Sequence, residues 1–116
     1  MAEIPFISGN GNFELQAVGA RFHMDALISI MKGSATASEM AELIPEEDNE
    51  YDPDAVAVII KNEKIGYISN DDLIQYREWL EEKIGSVQPI ECSARIKSND
   101  KYGFCIDLDL DIAEYL

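Results

Sequence analysis

The sequence predicts a mainly β protein with two helices, in which short strands form a small barrel or curled sheet and the helices pack against it. The first observation is a series of short apolar segments, alternating or rich in β-branched residues, that turn residues separate. The second is a pair of segments with helical spacing of their apolar residues. The third is a length of 116 residues with 47% hydrophobic composition, which fits one folded domain and excludes the disordered class.

The first half of the chain contains an arm, a strand, a helix and a second strand. Residues 1–12 are rich in turn formers and are expected to form a loose N-terminal arm, whereas residues 13–116 form the single domain. Residues 13–22 alternate as in a strand that bends at its glycine, and residues 24–32 have helical spacing and precede a glycine. After a loop of small polar residues, a short strand is expected to end at Pro45.

The second half begins with an acidic loop, in which residues 46–48 are expected to be solvated. The run that follows, residues 55–61, is apolar on both faces and therefore predicts a buried strand. The remaining predicted elements are a strand at 65–69, a helix at 71–83, and strands at 89–97 and 102–111 that a turn at 98–101 connects.

The net charge is strongly negative, at −14, with a pI near 4.2. Composition alone therefore argues against binding of a DNA backbone, which depends on Lys and Arg, and favours basic partners or cations. The charge is uneven, because residues 33–60 contain eight acids and no Lys or Arg, whereas residues 61–105 contain seven basic residues against eight acids. A face of positive potential is therefore compatible with the sequence.

Residues that could support catalysis are scarce. His23 is the single histidine, no nucleophile motif accompanies it, and Cys92 and Cys105 provide neither a disulfide framework nor a metal site. We therefore expect no enzymatic activity, no metal and no cofactor. The N-terminus lacks a basic segment followed by an apolar run, and no segment has the apolar length of a membrane span, so the expectation is a cytoplasmic protein with no membrane partner.

The Asp-Leu-Asp-Leu-Asp run at 107–111 resembles the opening of a calcium-binding loop. An EF-hand requires a glycine at the sixth position, which is Ile112 in this chain. Alternation is the better explanation: Leu108 and Leu110 are expected to face the core, and the three aspartates are expected to face water.

Four segments occur in an order that is typical of one known family. They are "AVGARFH" at 17–23, "NEYDPDAVAV" at 49–58, "KIGYIS" at 64–69 and "YGFCIDL" at 102–108. Together they resemble the HIRAN domain, found in helicase-like DNA remodellers and as a stand-alone protein, over residues 13–111. The resemblance implies a small OB-like β-barrel flanked by α-helices that binds the free 3′ end of single-stranded DNA.

The resemblance also implies roles for the residues at the mouth of the buried strand. Tyr51 would stack on the terminal base, Asp52 would accept a hydrogen bond from the terminal 3′-hydroxyl, and Asn49 would support their loop. A purely structural interpretation makes Asn49 and Asp52 turn formers and Tyr51 a lid over the core. Glu50 stands where the family has proline, which adds negative charge beside this site.

Further residues are assigned by the same resemblance to the DNA backbone and the pocket wall. Arg21 would contact a phosphate, and Phe22 would offer an aromatic face where tyrosine is common. Tyr67 would lie beside the backbone, Asn70 would stand near a position that can be lysine, and Phe104 would close the pocket. The implied partners are a 3′ end of single-stranded DNA and a separate helicase or nuclease.

An alternative function follows from the charge. The acidic segment 39–54 could serve a protein-interaction domain with a basic partner, and such a face could also mimic DNA electrostatically. Loss of oligonucleotide affinity with rising salt would favour the first function, and capture of basic proteins without oligonucleotide binding would favour the second.

Overall fold

The computed structural model of the chain describes residues 3–99 and 103–115. Within these ranges the chain forms six β-strands and two α-helices. The strands are β1 (Leu15–Val18), β2 (Thr36–Pro45), β3 (Val56–Ile60), β4 (Glu63–Ile68), β5 (Ile90–Asn99) and β6 (Gly103–Leu108). The helices are α1 (Met24–Met31) and α2 (Asn70–Ile84), and short 3₁₀ helices span Ala20–Phe22 and Ile112–Tyr115.

The strands close into one barrel in the order β1-β4-β3-β2-β5-β6, and every neighbouring pair is antiparallel. The short strand β1 completes the barrel, because it pairs with β4 on one side and with β6 on the other. A mainly β fold with two helices and a small OB-like barrel is therefore confirmed.

Strand β3 lies between β2 and β4 and is buried at four of its five residues, as its uninterrupted apolar run predicts, while Ile59 is half-buried. Val56, Val58 and Ile60 are fully buried members of the hydrophobic core, and Ala57 is also inaccessible. This strand and its neighbours support the loop between β2 and β3.

The predicted strand at 13–22 is too long. β1 ends at Val18, and Gly19 then adopts φ 90°, a left-handed conformation that glycine tolerates best. The backbone N–H of Phe22 donates to the carbonyl of Gly19, so the chain winds into a 3₁₀ helix where the strand was expected to continue. As a consequence, Arg21 and Phe22 project from a turn and not from a strand.

The predicted strand that ends at Pro45 is too short at its beginning. β2 starts at Thr36, inside the segment expected to be a loop, and pairs with β3 along its second half and with β5 along most of its length. Its first residues are mostly exposed, so apolar periodicity could not reveal them. Of the expected turn at 98–101, Asp100 and Lys101 lie outside the described residues.

The expectation for the aspartates at 107–111 was wrong for Asp109. Leu108 and Leu110 are buried as predicted, but Asp109 is also buried, with 8% of its surface exposed. Its Oδ1 accepts the backbone N–H of Gly11 at 2.9 Å. Alternation fails because β6 ends at Leu108 and the N-terminal segment covers the residues that follow.

Part of the N-terminal segment is also packed on the barrel, although residues 1–12 were expected to form a loose arm. Ile7 is buried, and its N–H donates to the carbonyl of Glu91 in β5 at 2.9 Å. The N–H of Glu91 donates in return to the carbonyl of Pro5. These bonds join residues 5–7 to the edge of β5.

Helix α2 follows its sequence signals closely. Ser69 caps it by accepting the N–H of Asp71, and Gly85 ends it with φ 91°. Its buried face includes Tyr76 and Trp79, which accords with a packing role for the tryptophan. Neither this helix nor any other helix among the described residues has the length and hydropathy that a membrane crossing requires.

Candidate functional site

The loop between β2 and β3 is closed by hydrogen bonds within its own backbone. The N–H of Glu46 donates to the carbonyl of Ala55, and the N–H of Ala55 donates to the carbonyl of Asp52. The N–H of Asn49 donates to the carbonyl of Glu46. The two ends of the loop are therefore held together directly above the buried strand β3.

Asn49 organises the tip of this loop, as its sequence position suggested. Its side-chain oxygen accepts the backbone N–H of Tyr51 at 2.8 Å and that of Asp52 at 3.0 Å. The Oδ1 of Asp52 in turn accepts the N–H of Asp54 at 3.0 Å. These side-chain to backbone bonds are the means by which Asn and Asp stabilise turns.

Tyr51 projects from the fixed backbone into solvent. It is 96% exposed, so its ring covers none of the core and the interpretation as a lid is wrong. An aromatic ring held in water by an ordered backbone has no stabilising contact to explain it, and such rings are typical of binding surfaces.

An open cavity of about 520 Å³ lies beside this loop. Five of the residues that the resemblance singled out contribute to it: Asn49, Tyr51, Asp52, Tyr67 and Asn70. Val18, Ala55 and Ile68 supply its apolar part, and the sequence indicated none of them as site residues. Val18 is the last residue of β1 and is 44% exposed, on the outward-facing side of the strand.

Gly66 brings the strands that carry Val18 and Tyr67 close together. A Cβ atom at Gly66 would lie 2.5 Å from the carbonyl oxygen of Val18, a distance that no real Cβ contact shows. The glycine before Tyr67 is therefore required by the approach of β1 to β4, and this approach places both residues in the wall of one cavity.

Behind the cavity, Glu46 is the centre of a polar network. Its Oε1 accepts hydrogen bonds from the Tyr67 hydroxyl at 2.9 Å and from the Asn49 side-chain amide at 3.0 Å. Its Oε2 lies 2.6 Å from the Lys64 Nζ, which also donates to the Tyr67 hydroxyl oxygen at 3.0 Å. The expectation that Glu46 lies in a solvated run was therefore wrong.

The ionisation of this pair is reinforced by its surroundings. Burial raises the pKa of Glu46. Hydrogen bonds from Lys64, Asn49 and Tyr67, together with the charge of Lys64, lower it by more, so the pKa is below its ordinary value. Hydrogen bonds to Glu46 and Tyr67 raise the pKa of Lys64 above its ordinary value, against a smaller effect of burial. Both partners are therefore charged at neutral pH.

Arg21 and Phe22, which the same resemblance assigned to the DNA-binding site, do not line this cavity. They line a neighbouring cavity of about 460 Å³ at the start of α1, to which Glu63 and Lys64 also contribute. The guanidinium carbon of Arg21 lies 4.8 Å from the centre of the Phe22 ring, and the ring is 72% exposed. Lys64 is thus a wall of the second cavity and a hydrogen-bond partner of a residue in the first.

Phe104 is not brought to either cavity. It lies on β6 and packs, partly buried, against the hydrophobic core. Its assignment as the residue that closes the pocket has no geometric support.

A third concavity, of about 480 Å³, lies between the loop and α2. Asp52 and Asn70 line it as well, and so form the partition between it and the first cavity. Arg77 of α2 is held there, because its guanidinium donates to the carbonyl of Asp54 at 3.0 Å and lies 3.7 Å from the carboxylate of the same residue. The remainder of the lining combines acids with apolar residues: Glu78, Glu81, Leu73, Ile74 and Val87.

The described ranges contain no group of three or more His, Cys, Asp or Glu side chains that could hold a metal ion. The chemistry that the site offers is that of a binding surface: an exposed aromatic ring, a carboxylate acceptor, and cations in the neighbouring wall.

Comparison with known proteins assigns the family. The family model for the HIRAN domain matches residues 10–101, which is most of the chain. Neither the search of curated proteins nor the search of solved structures found a match. The match agrees with the four sequence segments and with the barrel that they build. The chain therefore belongs to the HIRAN-domain family, which implies that it is a nucleic-acid-binding module.

Proposed function

We propose that the chain binds the 3′-hydroxyl end of single-stranded DNA, with Tyr51 stacked on the terminal base and Asp52 accepting the hydrogen bond of the terminal hydroxyl. HIRAN membership supports nucleic-acid binding in general. The observation that carries the finer proposal is the pairing of an almost fully exposed Tyr51 with an adjacent carboxylate on one hydrogen-bonded loop.

Stacking is the interaction for which Tyr51 is best suited. Base–aromatic stacking contributes roughly 1–3 kcal/mol per base and tolerates any base, because every base has a π face. The bonds from Asn49 order the backbone on both sides of the ring before any ligand arrives. The backbone that carries the ring is therefore already ordered in the free protein, so binding loses little further entropy there.

Asp52 distinguishes a DNA end with a 3′-hydroxyl from one with a 3′-phosphate. Its Oδ1 is engaged by the N–H of Asp54, and within the described part of the chain no donor bonds its Oδ2. A carboxylate oxygen accepts hydrogen bonds and cannot donate them, so a terminal hydroxyl fits this position. A terminal phosphate has no such fit, because it would place a second anion against the carboxylate.

The apolar part of the first cavity complements these polar contacts. Val18, Ala55 and Ile68 provide a small surface on which the sugar of the terminal nucleotide can rest. Tyr67 and Asn70 also line this cavity. The Asn70 amide can contact the sugar–phosphate backbone, whereas the Tyr67 hydroxyl is already engaged by Glu46 and Lys64.

The net charge of −14 limits the affinity that this site can reach. Nucleic-acid binding is largely electrostatic, so repulsion from the acidic chain must be offset locally by the basic residues of the second cavity. We therefore expect weak binding that is sharply reduced by salt and confined to strand ends.

A protein-interaction domain is the second candidate, and the concavity beside α2 favours it. Its acids Asp54, Glu78 and Glu81 surround apolar residues, of which Ile74 is 73% exposed. A basic segment of a separate helicase or nuclease would complement this surface, and the HIRAN module would then recruit an enzyme to the bound end.

A comparison of linear and circular DNA tests the proposed function. Fluorescence anisotropy is measured at low salt with one 5′-phosphorylated linear oligodeoxythymidine and with its covalently circularised form, which has the same number of phosphates and no end. We expect the linear form to bind at least about tenfold more tightly, because the circle has no terminal hydroxyl to donate to Asp52 and no terminal base to place on Tyr51 beside it. Equal affinity would reject end recognition, and binding of basic peptides without DNA binding would favour the second candidate.

A further inference from the structure

Lys64 connects the two cavities, because it lines the second and bonds Tyr67, which lines the first. Its Nζ lies 2.6 Å from Glu46 Oε2 and 3.0 Å from the Tyr67 hydroxyl, and its side chain keeps 38% of its surface exposed. It lines the second cavity beside Arg21 and Phe22. A ligand that runs from the first cavity to the second therefore passes this ammonium group.

The donors in the network are unequally available. The Tyr67 hydroxyl has one hydrogen, which it donates to Glu46, and its oxygen accepts from Lys64. The ammonium of Lys64 has three N–H donors, of which Glu46 and Tyr67 use two. The remaining donor and the positive charge belong to Lys64, so Lys64 and not Tyr67 is equipped to bind a phosphate oxygen.

We propose that Lys64 is the phosphate-binding residue between the two cavities, and that Glu46 is the positioning residue that holds it there. This inference rests on the proposed function, since it assumes a single strand whose end lies at Tyr51 and Asp52. The strand then runs over Lys64 towards Arg21. Lys64 begins the KIGYIS segment, but the resemblance gave neither Lys64 nor Glu46 a role, and the pair is separated by 18 positions of sequence.

The role of Glu46 follows from the flexibility of lysine. A lysine side chain has a long, rotatable stem. If it is mobile in the free protein, ligand binding must order it, and the lost entropy weakens the affinity. The bond to Glu46 restricts it in the free protein and keeps its charge beside Tyr67. An acid next to a DNA site therefore favours binding here, which is the opposite of its simple electrostatic effect.

The first test removes the charge of Lys64 while keeping its hydrogen bonding. Lys64→Gln should reduce the salt slope of binding to a linear oligodeoxythymidine by about 0.7, the value for one phosphate on a single strand. The affinity at low salt should fall about three- to tenfold. Lys61→Gln is the matched control, because Lys61 lies in the same hairpin and pairs with Glu39 at 3.6 Å. This control should change the slope by less than half as much.

The second test removes the charge of Glu46. Glu46→Gln should weaken oligonucleotide binding at least about threefold, because the ion pair with Lys64 is lost and one oxygen must replace the two that accept from Lys64, Tyr67 and Asn49. Glu39→Gln removes the same charge near the other end of β2 and should leave the affinity unchanged or slightly raised. Stronger binding by Glu46→Gln would overturn the positioning role.

A measurement on the unaltered protein guards against variants that fail to fold. The side-chain Hε–Cε NMR signals of Lys64 should shift on addition of the oligonucleotide, and those of Lys61 should shift less. An unmoved Lys64 signal at saturation, or an unchanged salt slope for Lys64→Gln, would overturn the inference and leave end recognition intact if linear DNA still binds better than circular DNA. Failure of the unaltered protein to bind any oligonucleotide would overturn both.

Discussion

The hydroxyl of Tyr67 donates a hydrogen bond to Glu46 at 2.9 Å, across 21 positions of sequence. This bond joins β4 to the first residue of the loop that presents Tyr51 and Asp52. The same carboxylate accepts from Asn49, which orders the tip of that loop. The barrel and the binding loop are thus connected through one partly buried acid.

The ionisation of Glu46 makes the stability of the chain dependent on pH. Its folded pKa is lowered below the ordinary 4.5, so its contribution is present above that value and is lost as the pH falls through the folded pKa. At about pH 7, Glu46→Gln should lower the free energy of unfolding by roughly 1–2 kcal/mol, because a charge-assisted bond is replaced. Denaturant titrations should show this difference shrinking below about pH 4.5. If the two proteins differed in free energy of unfolding by the same amount at every pH, the lowered pKa of Glu46 would be contradicted.

The close approach of β1 and β4 predicts a severe effect at Gly66. Gly66→Ala would place Cβ 2.5 Å from the Val18 carbonyl, so the strands must separate, at a cost of roughly 1–3 kcal/mol in the free energy of unfolding. Gly11→Ala is the control: a Cβ atom there would have no other atom within 4 Å, and only the φ of +87° is unfavourable for alanine. It should lower the free energy of unfolding by about 1 kcal/mol. Equal losses in denaturant titration would show that the strands are not packed this tightly.

The architecture could be predicted from the sequence wherever local patterns determine the structure. The buried run of β3 and the capped helix α2 have clear signals in their own residues, such as Ser69 and Gly85 at the helix ends. The first half of β2 and the end of β1 have none. Exposed strand residues lack an apolar period, and the 3₁₀ turn after Gly19 follows a residue that the sequence marks only as a possible bend.

The candidate site was only partly predictable for a different reason. Asn49, Tyr51 and Asp52 are contiguous in sequence and belong to a motif, so their juxtaposition was foreseen. Glu46 and Lys64 meet only after β3 and β4 form their hairpin, and no period or motif marks such a pair. The burial of Asp109 has the same origin, because the segment that covers it is almost a hundred positions away.

The core assignment of β3 predicts the effect of shortening one of its side chains. Val58 is fully buried between β2 and β4, so Val58→Ala should lower the free energy of unfolding by about 1–3 kcal/mol through lost burial and the cavity left behind. Urea titration measures this directly. A loss below a few tenths of a kcal/mol would mean that the strand is solvated.

Tyr51 should matter for binding and not for folding. Tyr51→Ala removes a ring that is 96% exposed, so the free energy of unfolding should change by less than about 0.5 kcal/mol. The free energy of binding to a linear oligonucleotide should weaken by roughly 1–3 kcal/mol, the usual value of one stacked base. Tyr51→Phe is the matched control and should bind like the unaltered protein. A large loss of stability in Tyr51→Ala would show that the ring contributes to folding and would contradict a role in binding alone.

The chemistry of the strand terminus tests the central claim most directly. Fluorescence anisotropy at low salt compares one 5′-labelled oligodeoxythymidine that carries a 3′-hydroxyl with the same strand that carries a 3′-phosphate. The 3′-phosphate should bind at least about tenfold more weakly, since a charge-assisted bond to Asp52 is lost and repulsion is gained. Asp52→Asn should narrow this gap, because the amide removes the repulsion and keeps a hydrogen-bonding group. Equal affinity for the two ends, unchanged by Asp52→Asn, would contradict the account.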